Sequence, residues 1–296
     1  MINPTVDPDR LSTGVLSLDV RLGGQLPPGA LVEVYGAKSS GRSALGLSCL
    51  AWCQKASHEA ALIDASGSFD LHRTESFGIN PTDLWYKMPE HLEDTLTAAK
   101  NAAVAGCRVV VVDCLASMPG KDEDMESSSY RNRRTISDKL RSLAFEVSET
   151  KATVIIINQN RIAIGAVRNV SKSYFGDLVR MYCRRKVQLI EGPPAYDHHL
   201  KVGQYVYAKV SKVLGLAPYN RTMIRMDDHG LDYVGDIVDL GLQLQLLERR
   251  GPYVVYPGAQ EHNLGRSYNE ILSSLRDKPE VWSLLEKHVR RKMLGV

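Results

Sequence analysis

The stretch Gly36-Ala37-Lys38-Ser39-Ser40-Gly41-Arg42-Ser43 holds residue types that bind a polyphosphate. Glycines let a backbone curl closely, so that successive N–H groups face phosphate oxygens. A helix starting directly after such a loop adds its dipole. Ser43 stands where a hydroxyl ligates Mg2+, and Arg42 stands where such loops place a lysine. Arginine keeps the charge, but its planar fork is bulkier than an ammonium and cannot occupy the same point between two phosphates. A glycine–serine turn before a helix satisfies the same eight residues, so the loop alone leaves both readings open.

The surrounding pattern supplies the elements that would hold this loop. Residues 30–36, ALVEVYG, read as a buried strand ending in glycine, and residues 43–56 read as a helix. Apolar runs follow at 59–65, 108–114 and 152–159, separated by helical patterns at 91–105 and 129–150. That alternation predicts an α/β fold with a mainly parallel sheet and helices on both faces. The runs lack strict alternation because such strands are buried on both sides. Residues 160–180 have weak periodicity and scattered basic residues, the texture of a surface loop. Alternating stretches at 184–190, 205–213 and 222–226 predict antiparallel strands that finish the same sheet. From Gly235 onward DIVDLGLQLQLLE, SYNEILSSL and PEVWSLLEKHVRRKML read as helices of a small C-terminal α-rich domain. The expected division is a tail at 1–10, a core at 11–230 and a C-terminal domain at 231–296.

Composition excludes several classes. Hydrophobic residues make up 44% of the 296 and charged residues 24%, which excludes a wholly disordered chain. No apolar run approaches the roughly 20 residues of a membrane span. The start, MINPTVDPDR, lacks the apolar core of a signal peptide, so a cytoplasmic location and no membrane partner are expected. Five cysteines with no CxxC pair point to reduced, buried thiols rather than a disulfide framework or zinc site. The net charge is only +3, yet residues 131–186 hold 13 Lys/Arg against 4 Asp/Glu. A basic segment in an otherwise acidic chain is the footprint of an anionic partner, nucleic acid first. Solvated faces of two helices are the bland alternative.

Several motifs in order resemble the bacterial RecA recombinase family. They are LSTGVLSLDVRLGG and LPPGALVEVYGAKSSGRS within 11–43, LIDASGSFD at 62–70, VVVVDCLASMPG at 109–120, VIIINQNRIAIG at 154–165 and LAPY at 216–219. The terminal stretch GDIVDLGLQLQLLERRGPYVVYPG continues the likeness, which covers about residue 11 to the end. The resemblance implies a RecA-type P-loop ATPase core, ATP and Mg2+ as cofactors, single-stranded DNA as partner, and work in DNA repair, recombination and the SOS response to DNA damage.

Carried over motif by motif, the resemblance assigns Gly36, Ser39, Ser40, Gly41, Arg42 and Ser43 to the phosphates. It assigns Asp113 to Mg2+ through water, with Ser43 as a direct ligand. Gln159 matches the glutamine that senses the γ-phosphate, and Asp70 an aspartate beside the adenine. Lys212 matches a lysine that reaches a neighbour's γ-phosphate. Three positions depart. Ser66 stands where the family has its catalytic glutamate, Arg73 replaces the aromatic that stacks on adenine, and Leu214 replaces a second lysine. Serine has no carboxylate to polarise water, so the resemblance with these losses implies weak or absent hydrolysis.

The family's two DNA loops fall at about 118–137 and 160–180. Arg134 and Arg161 match DNA-contacting basic residues, and Arg168, Lys172 and Arg180 add charge. Tyr174 and Phe175 either stack on bases or pin the loop to the core. About ten residues precede LSTG, where the family carries a helix and strand lent to the next subunit, and Pro4 and Pro8 disfavour a helix there. A monomer or small oligomer is therefore expected, with a groove open to a RecA-like segment. Two readings follow. One is an accessory or regulator of recombination or translesion synthesis, more distantly like the ImuA proteins, with RecA or an error-prone polymerase as partner. The other is an active ATP-dependent recombinase, phage-encoded ones included.

Overall fold

The computed structural model describes residues 7–67, 69–115, 128–162, 171–173, 176–197, 200–211, 220–227, 229–257 and 261–295. The chain begins with α1 (Leu16–Leu22), β1 (Ala30–Gly36), α2 (Arg42–Lys55), β2 (Ala60–Asp64), α3 (Leu71–Ser76), β3 (Leu84–Lys87), α4 (Leu92–Val104), β4 (Val109–Asp113) and α5 (Ser128–Thr150). It continues with β5 (Thr153–Ile162), β6 (Ser171–Ser173), α6 (Gly176–Tyr182), β7 (Cys183–Asp197), β8 (Leu200–Ser211), β9 (Asn220–Asp227) and β10 (Gly230–Leu231). The last part holds α7 (Tyr233–Gln243), β11 (Glu248–Arg250), β12 (Tyr253–Tyr256), β13 (His262–Gly265), α8 (Tyr268–Asp277) and α9 (Pro279–Leu294).

The strands from β1 to β10 form one sheet in the order β10-β9-β8-β7-β1-β5-β4-β2-β3, with β6 hydrogen-bonded to β5 off this path. Pairing is parallel from β7 through β1, β5, β4 and β2 to β3, and antiparallel from β7 to β10. The all-apolar run Val109–Val112 serves both faces because side chains alternate along a strand. Val109 and Val111 pack with Leu45, Cys49 and Leu50 of α2, while Val110 and Val112 pack with Leu96 of α4 and Leu140 of α5. On α5, Ile136, Leu140, Leu143 and Val147 recur at three- and four-residue spacing and are fully buried, the stripe a surface helix needs.

Residues 233–294 gather round a second apolar cluster that includes Ile237, Trp282, Leu285 and Val289 and also takes in Leu16 and Trp52 from the first part of the chain. Trp52 meets Tyr233 with ring centroids 4.8 Å apart. The Tyr233 hydroxyl donates to Glu286 at 2.5 Å, and Arg290 bonds the same hydroxyl at 2.8 Å. Asp232 caps α7 by accepting from the Gly235 N–H at 2.8 Å. It also accepts from the Tyr268 hydroxyl and lies 3.3 Å from Arg225 Nε. Of two further buried carboxylates, one folds the turn before α1 and the other ties α1 to α7. Asp19 accepts from Ser12, Thr13 N–H and the Thr13 hydroxyl, and Asp236 accepts from the Ser17 N–H at 2.9 Å.

Most predicted strands and helices of the sheet lie where the pattern placed them, but β7 runs on to Asp197 through Gly192-Pro193-Pro194, where a turn was expected, and β8 begins at Leu200 rather than 205. Two further stretches differ. The residues 160–180, read as a loop, contain the β5–β6 hairpin and α6 among their described part. The helix read into DIVDLGLQLQLLE stops at Gln243, and a three-stranded antiparallel sheet β11-β12-β13 stands between α7 and α8. Its strands have three or four residues, too short for alternation to show. All five cysteines are buried and free. Among the described residues no helix is long and apolar enough to cross a membrane.

Burial raises the carboxyl of Asp19 to about 6 and that of Asp236 to about 7, against an ordinary 3.8. Hydrogen bonds from Ser12 and Thr13, with the charge of Arg290, offset part of this at Asp19; at Asp236 the neighbouring Asp19 and Asp239 add to it. The folded chain therefore keeps protons that the unfolded chain releases between about pH 4 and pH 7, so stability falls as pH rises through that range. Asp236→Asn should come closest to the wild type's melting temperature at about pH 4 and exceed it increasingly toward about pH 8, flattening the decline. Thermal melts across that range check this, and an unchanged slope contradicts it.

Candidate functional site

Parallel strands deliver their C-terminal ends to one edge of the sheet, where open α/β sheets bind ligands. Here Gly36 of β1 pairs with Gln159 of β5, and Asp64 of β2 pairs with Asp113 of β4. Because β5 and β4 are neighbours, the phosphate loop, Gln159, Asp113 and Asp64 stand along this one edge.

The loop between β1 and α2 takes its shape from two glycines. Gly41 has φ 89°, a left-handed conformation, and a methyl group there would collide with the Met226 side chain. A methyl on Gly36 would meet Ser40 Oγ and the Leu189 carbonyl. Ser39 is also left-handed, at φ 64°, while Ser40 between it and Gly41 is not. That alternation of backbone handedness makes consecutive N–H groups converge on an anion. Ser40 Oγ is buried without a hydrogen-bond partner, a hydroxyl left unspent within the loop. Lys38 is exposed, and Ser43 is half-buried in the first turn of α2.

Arg42 is engaged elsewhere. Its Nη1 donates to the Asn158 carbonyl at 2.7 Å. Asn158 is fully buried, and its Nδ2 donates to Glu33 Oε1 at 3.0 Å. Glu33, inside β1, is fully buried with Oε2 2.8 Å from Lys186 Nζ on β7. Lys186 Nζ also sits 4.3 Å from the Tyr35 ring centroid. Burial raises the Tyr35 hydroxyl above its ordinary value, and Glu33 adds to the rise.

Ser66 lies in the loop after β2. Its Oγ donates to Asp64 Oδ1 at 3.0 Å and its N–H to the same oxygen at 3.1 Å. Asp64 Oδ2 accepts from the Phe69 N–H at 2.9 Å and the Tyr86 hydroxyl at 3.3 Å. Phe69 and Tyr86 pair with centroids 4.6 Å apart. Burial and the Asp64 charge raise the Tyr86 hydroxyl. Asp64 thus folds the loop, and Ser66 supplies a hydroxyl but no second carboxylate. Asp70 is exposed before α3, with its carbonyl accepting from the Thr74 N–H and hydroxyl.

On the nucleic-acid side, Arg134 is exposed on α5 and Arg180 on α6. Arg161 of β5 is register-paired with Lys172 of β6, which brings those two basic positions opposite each other. Arg168, Tyr174, Phe175, Lys212 and Leu214 lie outside the described residues, as does the side chain of Arg73.

A family model described as the RecA N-terminal domain matches residues 3–227. The chain belongs to the RecA family. It is 31% identical over 294 residues to Protein RecA of Cytophaga hutchinsonii, covering 96% of this chain and 81% of that protein. Protein RecA of Campylobacter jejuni subsp. doylei is 30% identical, with 96% and 85% covered. Protein RecA of Acinetobacter baylyi is 30% identical, with 97% and 83% covered.

Within this RecA-type core, the donors fit a Mg2+–nucleotide in kind: loop amides at a helix N-terminus, the Ser43 hydroxyl and the Asp113 carboxylate. Among the described residues no group of three or more His, Cys, Asp or Glu side chains could hold a metal alone. Arg42 is the misfit, because its guanidinium is spent on a backbone carbonyl. Sequence reasoning missed Glu33, Asn158, Lys186 and Tyr86. The signal for the first was present: a carboxylate inside ALVEVYG must be paired if that strand is buried.

Proposed function

We propose that this chain binds Mg2+–ATP and single-stranded DNA as a RecA-family accessory or regulator of recombination or translesion synthesis, with little ATP turnover. One observation carries the reading. The phosphate loop, Asp113 and Gln159 share one sheet edge, while the hydroxyl of Ser66 is turned onto Asp64 where turnover needs a free carboxylate. Ser43 and, through water, Asp113 would hold the Mg2+, which neutralises phosphate charge when bound. Lys212 and Asp70 would complete the nucleotide contacts. The DNA surface would comprise Arg134, Arg161, Arg168 and Lys172, with Tyr174 and Phe175 against the bases. The units of this function are a core at 11–230 and a C-terminal domain at 231–296.

The kept Ser43, Asp113 and Gln159 favour a second reading, an active recombinase. Hydrolysis decides between them. Wild-type protein should show little DNA-stimulated ATPase, and Ser66→Glu with Arg42→Lys should raise turnover by about 10^2-fold, the scale of a positioned general base. A wild-type rate equal to that of an ordinary RecA returns the second reading to first place.

DNA affinity should rest on phosphate neutralisation. Charge reversal at Arg134 and Arg161 should weaken binding to all sequences alike and lower the salt slope by roughly 1 for each phosphate no longer neutralised. Fluorescence anisotropy with oligonucleotides of several sequences measures it, and unchanged affinity moves the site elsewhere.

For assembly, the support is the sheet's open edge. β3 ends the sheet, and Trp85, Tyr86 and Met88 on and after it are exposed at 36%, 42% and 59%. An edge strand with apolar side chains accepts another strand, here one from RecA or a RecA-like partner. Electron microscopy with an ATP analogue and single-stranded DNA should show monomers or small oligomers of this protein alone. Long regular filaments would refute that state.

A further inference from the structure

Ser66 lacks a carboxylate, but its hydroxyl rests on one. Ser66 Oγ donates to Asp64 Oδ1 at 3.0 Å, within the reach at which a carboxylate takes a hydroxyl proton. Asp64 is buried, and its other oxygen, Oδ2, accepts from the Phe69 N–H at 2.9 Å and the Tyr86 hydroxyl at 3.3 Å. A nucleophile on a base, with the base oriented by further groups, is the arrangement that activates a weak hydroxyl. Ser66 itself is exposed, so the nucleophile is open to a substrate while its base is enclosed.

The place of this pair in the sheet decides what it can attack. Asp64 is register-paired with Asp113, and the Ala65 N–H donates to the Asp113 carbonyl at 2.7 Å. Ser66 therefore leaves the sheet directly beside the strand end that bears Asp113, on the edge shared with the phosphate loop. Transfer of a phosphoryl group asks little covalent chemistry of a protein. It needs charge stabilisation, an oriented nucleophile and a carboxylate to accept the hydroxyl proton, the part that an aspartate plays in protein kinases.

We propose that Ser66 is a phosphoryl acceptor: the chain transfers the terminal phosphoryl group of a Mg2+–nucleoside triphosphate to its own Ser66 and keeps it there as phosphoserine. The proposal rests on the nucleotide reading above and names what that site does with its ligand. Ser66 Oγ attacks the γ-phosphorus, and the bond from that phosphorus to the β,γ-bridging oxygen breaks. The nucleoside diphosphate leaves with the bridging oxygen, and the hydroxyl proton passes to Asp64 Oδ1. No water is consumed, so transfer runs once per chain and is compatible with little steady turnover. The product sets about two negative charges beside Asp64 and Asp113, and like-charge repulsion weakens the hold on a second nucleotide.

The test incubates the full chain with Mg2+ and ATP labelled in its γ-phosphate, and reads covalent label by acid-stable incorporation and by mass spectrometry of the peptide that holds Ser66. Binding of a fluorescent, non-transferable ATP analogue is measured in parallel. The wild type should take up label on Ser66 to a plateau of one per chain, and ATP labelled in the α-phosphate should leave none. Ser66→Ala should lose the label, and Ser66→Thr should carry it as phosphothreonine. Asp64→Asn should slow labelling by about 10^2-fold, the scale of a positioned base. Asp64 also folds its loop, so Tyr86→Phe supplies a second arm that leaves the carboxylate and removes one group that orients it. It should label more slowly at saturating ATP, with the half-saturating ATP concentration unchanged. A wild type that binds the analogue and stays unlabelled overturns the proposal while leaving the nucleotide reading intact. Label that forms on Ser66 at the wild-type rate in Asp64→Asn also overturns it, because the transfer then comes from a contaminating kinase. A wild type that binds no analogue overturns the nucleotide reading and this proposal with it.

Discussion

Glu33 is a charge in the middle of the sheet's most central strand, and its neutralisation fixes the site's geometry. A fully buried carboxylate is tolerated only when paired and hydrogen-bonded. Lys186 on one neighbouring strand and Asn158 on the other meet that demand. Removing one partner of such a pair costs about 3–5 kcal/mol because the other charge is left stranded. A one-residue slip of β5 against β1 would turn Asn158 to the opposite face of the sheet. The register that satisfies Glu33 is also the register that sets Gly36 beside Gln159. The polar centre of the core and the alignment of the phosphate loop are thus one constraint.

The parts of this architecture legible in the sequence are those whose signal is local. Val109–Val112 and Val154–Ile157 announce buried strands, and the four- and three-residue spacing of Ile136, Leu140, Leu143 and Val147 announces a helix. The loop at 36–43 is legible because glycine is required at Gly41 by a positive φ and at Gly36 by close approach. What escaped has weak local signal or a distant cause. The β5–β6 pairing joins Asn160–Ile162 to Ser171–Ser173, and three residues of the polar sequence Ser-Lys-Ser are too few for alternation to show. The strands β11 to β13 are short, and their cluster is completed by Leu16 and Trp52 from more than 180 residues away. Arg42 could be read as a departure from lysine, but its partner, a backbone carbonyl 116 positions further on, has no side-chain signature.

The buried carboxylates Asp19, Asp232 and Asp236 do for the second cluster what Glu33 does for the sheet. Each binds across elements: Asp19 to the turn before α1, Asp236 to α1 itself, and Asp232 to α7, Arg225 and Tyr268. They differ in their partners. Glu33 and Asp232 have a cation within ion-pair distance, whereas Asp19 and Asp236 rely on hydrogen bonds; burial outweighs the partners of Asp19, Asp232 and Asp236 alike and raises all three carboxyls. The raised carboxyls therefore gather round α7 and its neighbour α1, whereas Glu33 lies inside the strand that leads into the phosphate loop.

The two departures in the reaction centre are physically different in kind. Ser66 is neutral to the fold: its N–H and hydroxyl both serve Asp64, so the loop after β2 closes without a second carboxylate. Arg42 is integrated, because its guanidinium spans from α2 to β5 and makes a bond that joins loop to strand. A residue that had only shed a function would leave no such bond behind. The scaffold around them, Gly36, Gly41, Glu33 and Asn158, is demanded by backbone geometry and by a buried charge whether or not phosphate is ever cleaved. The geometry of the edge that bears the phosphate loop is therefore set without any carboxylate at position 66.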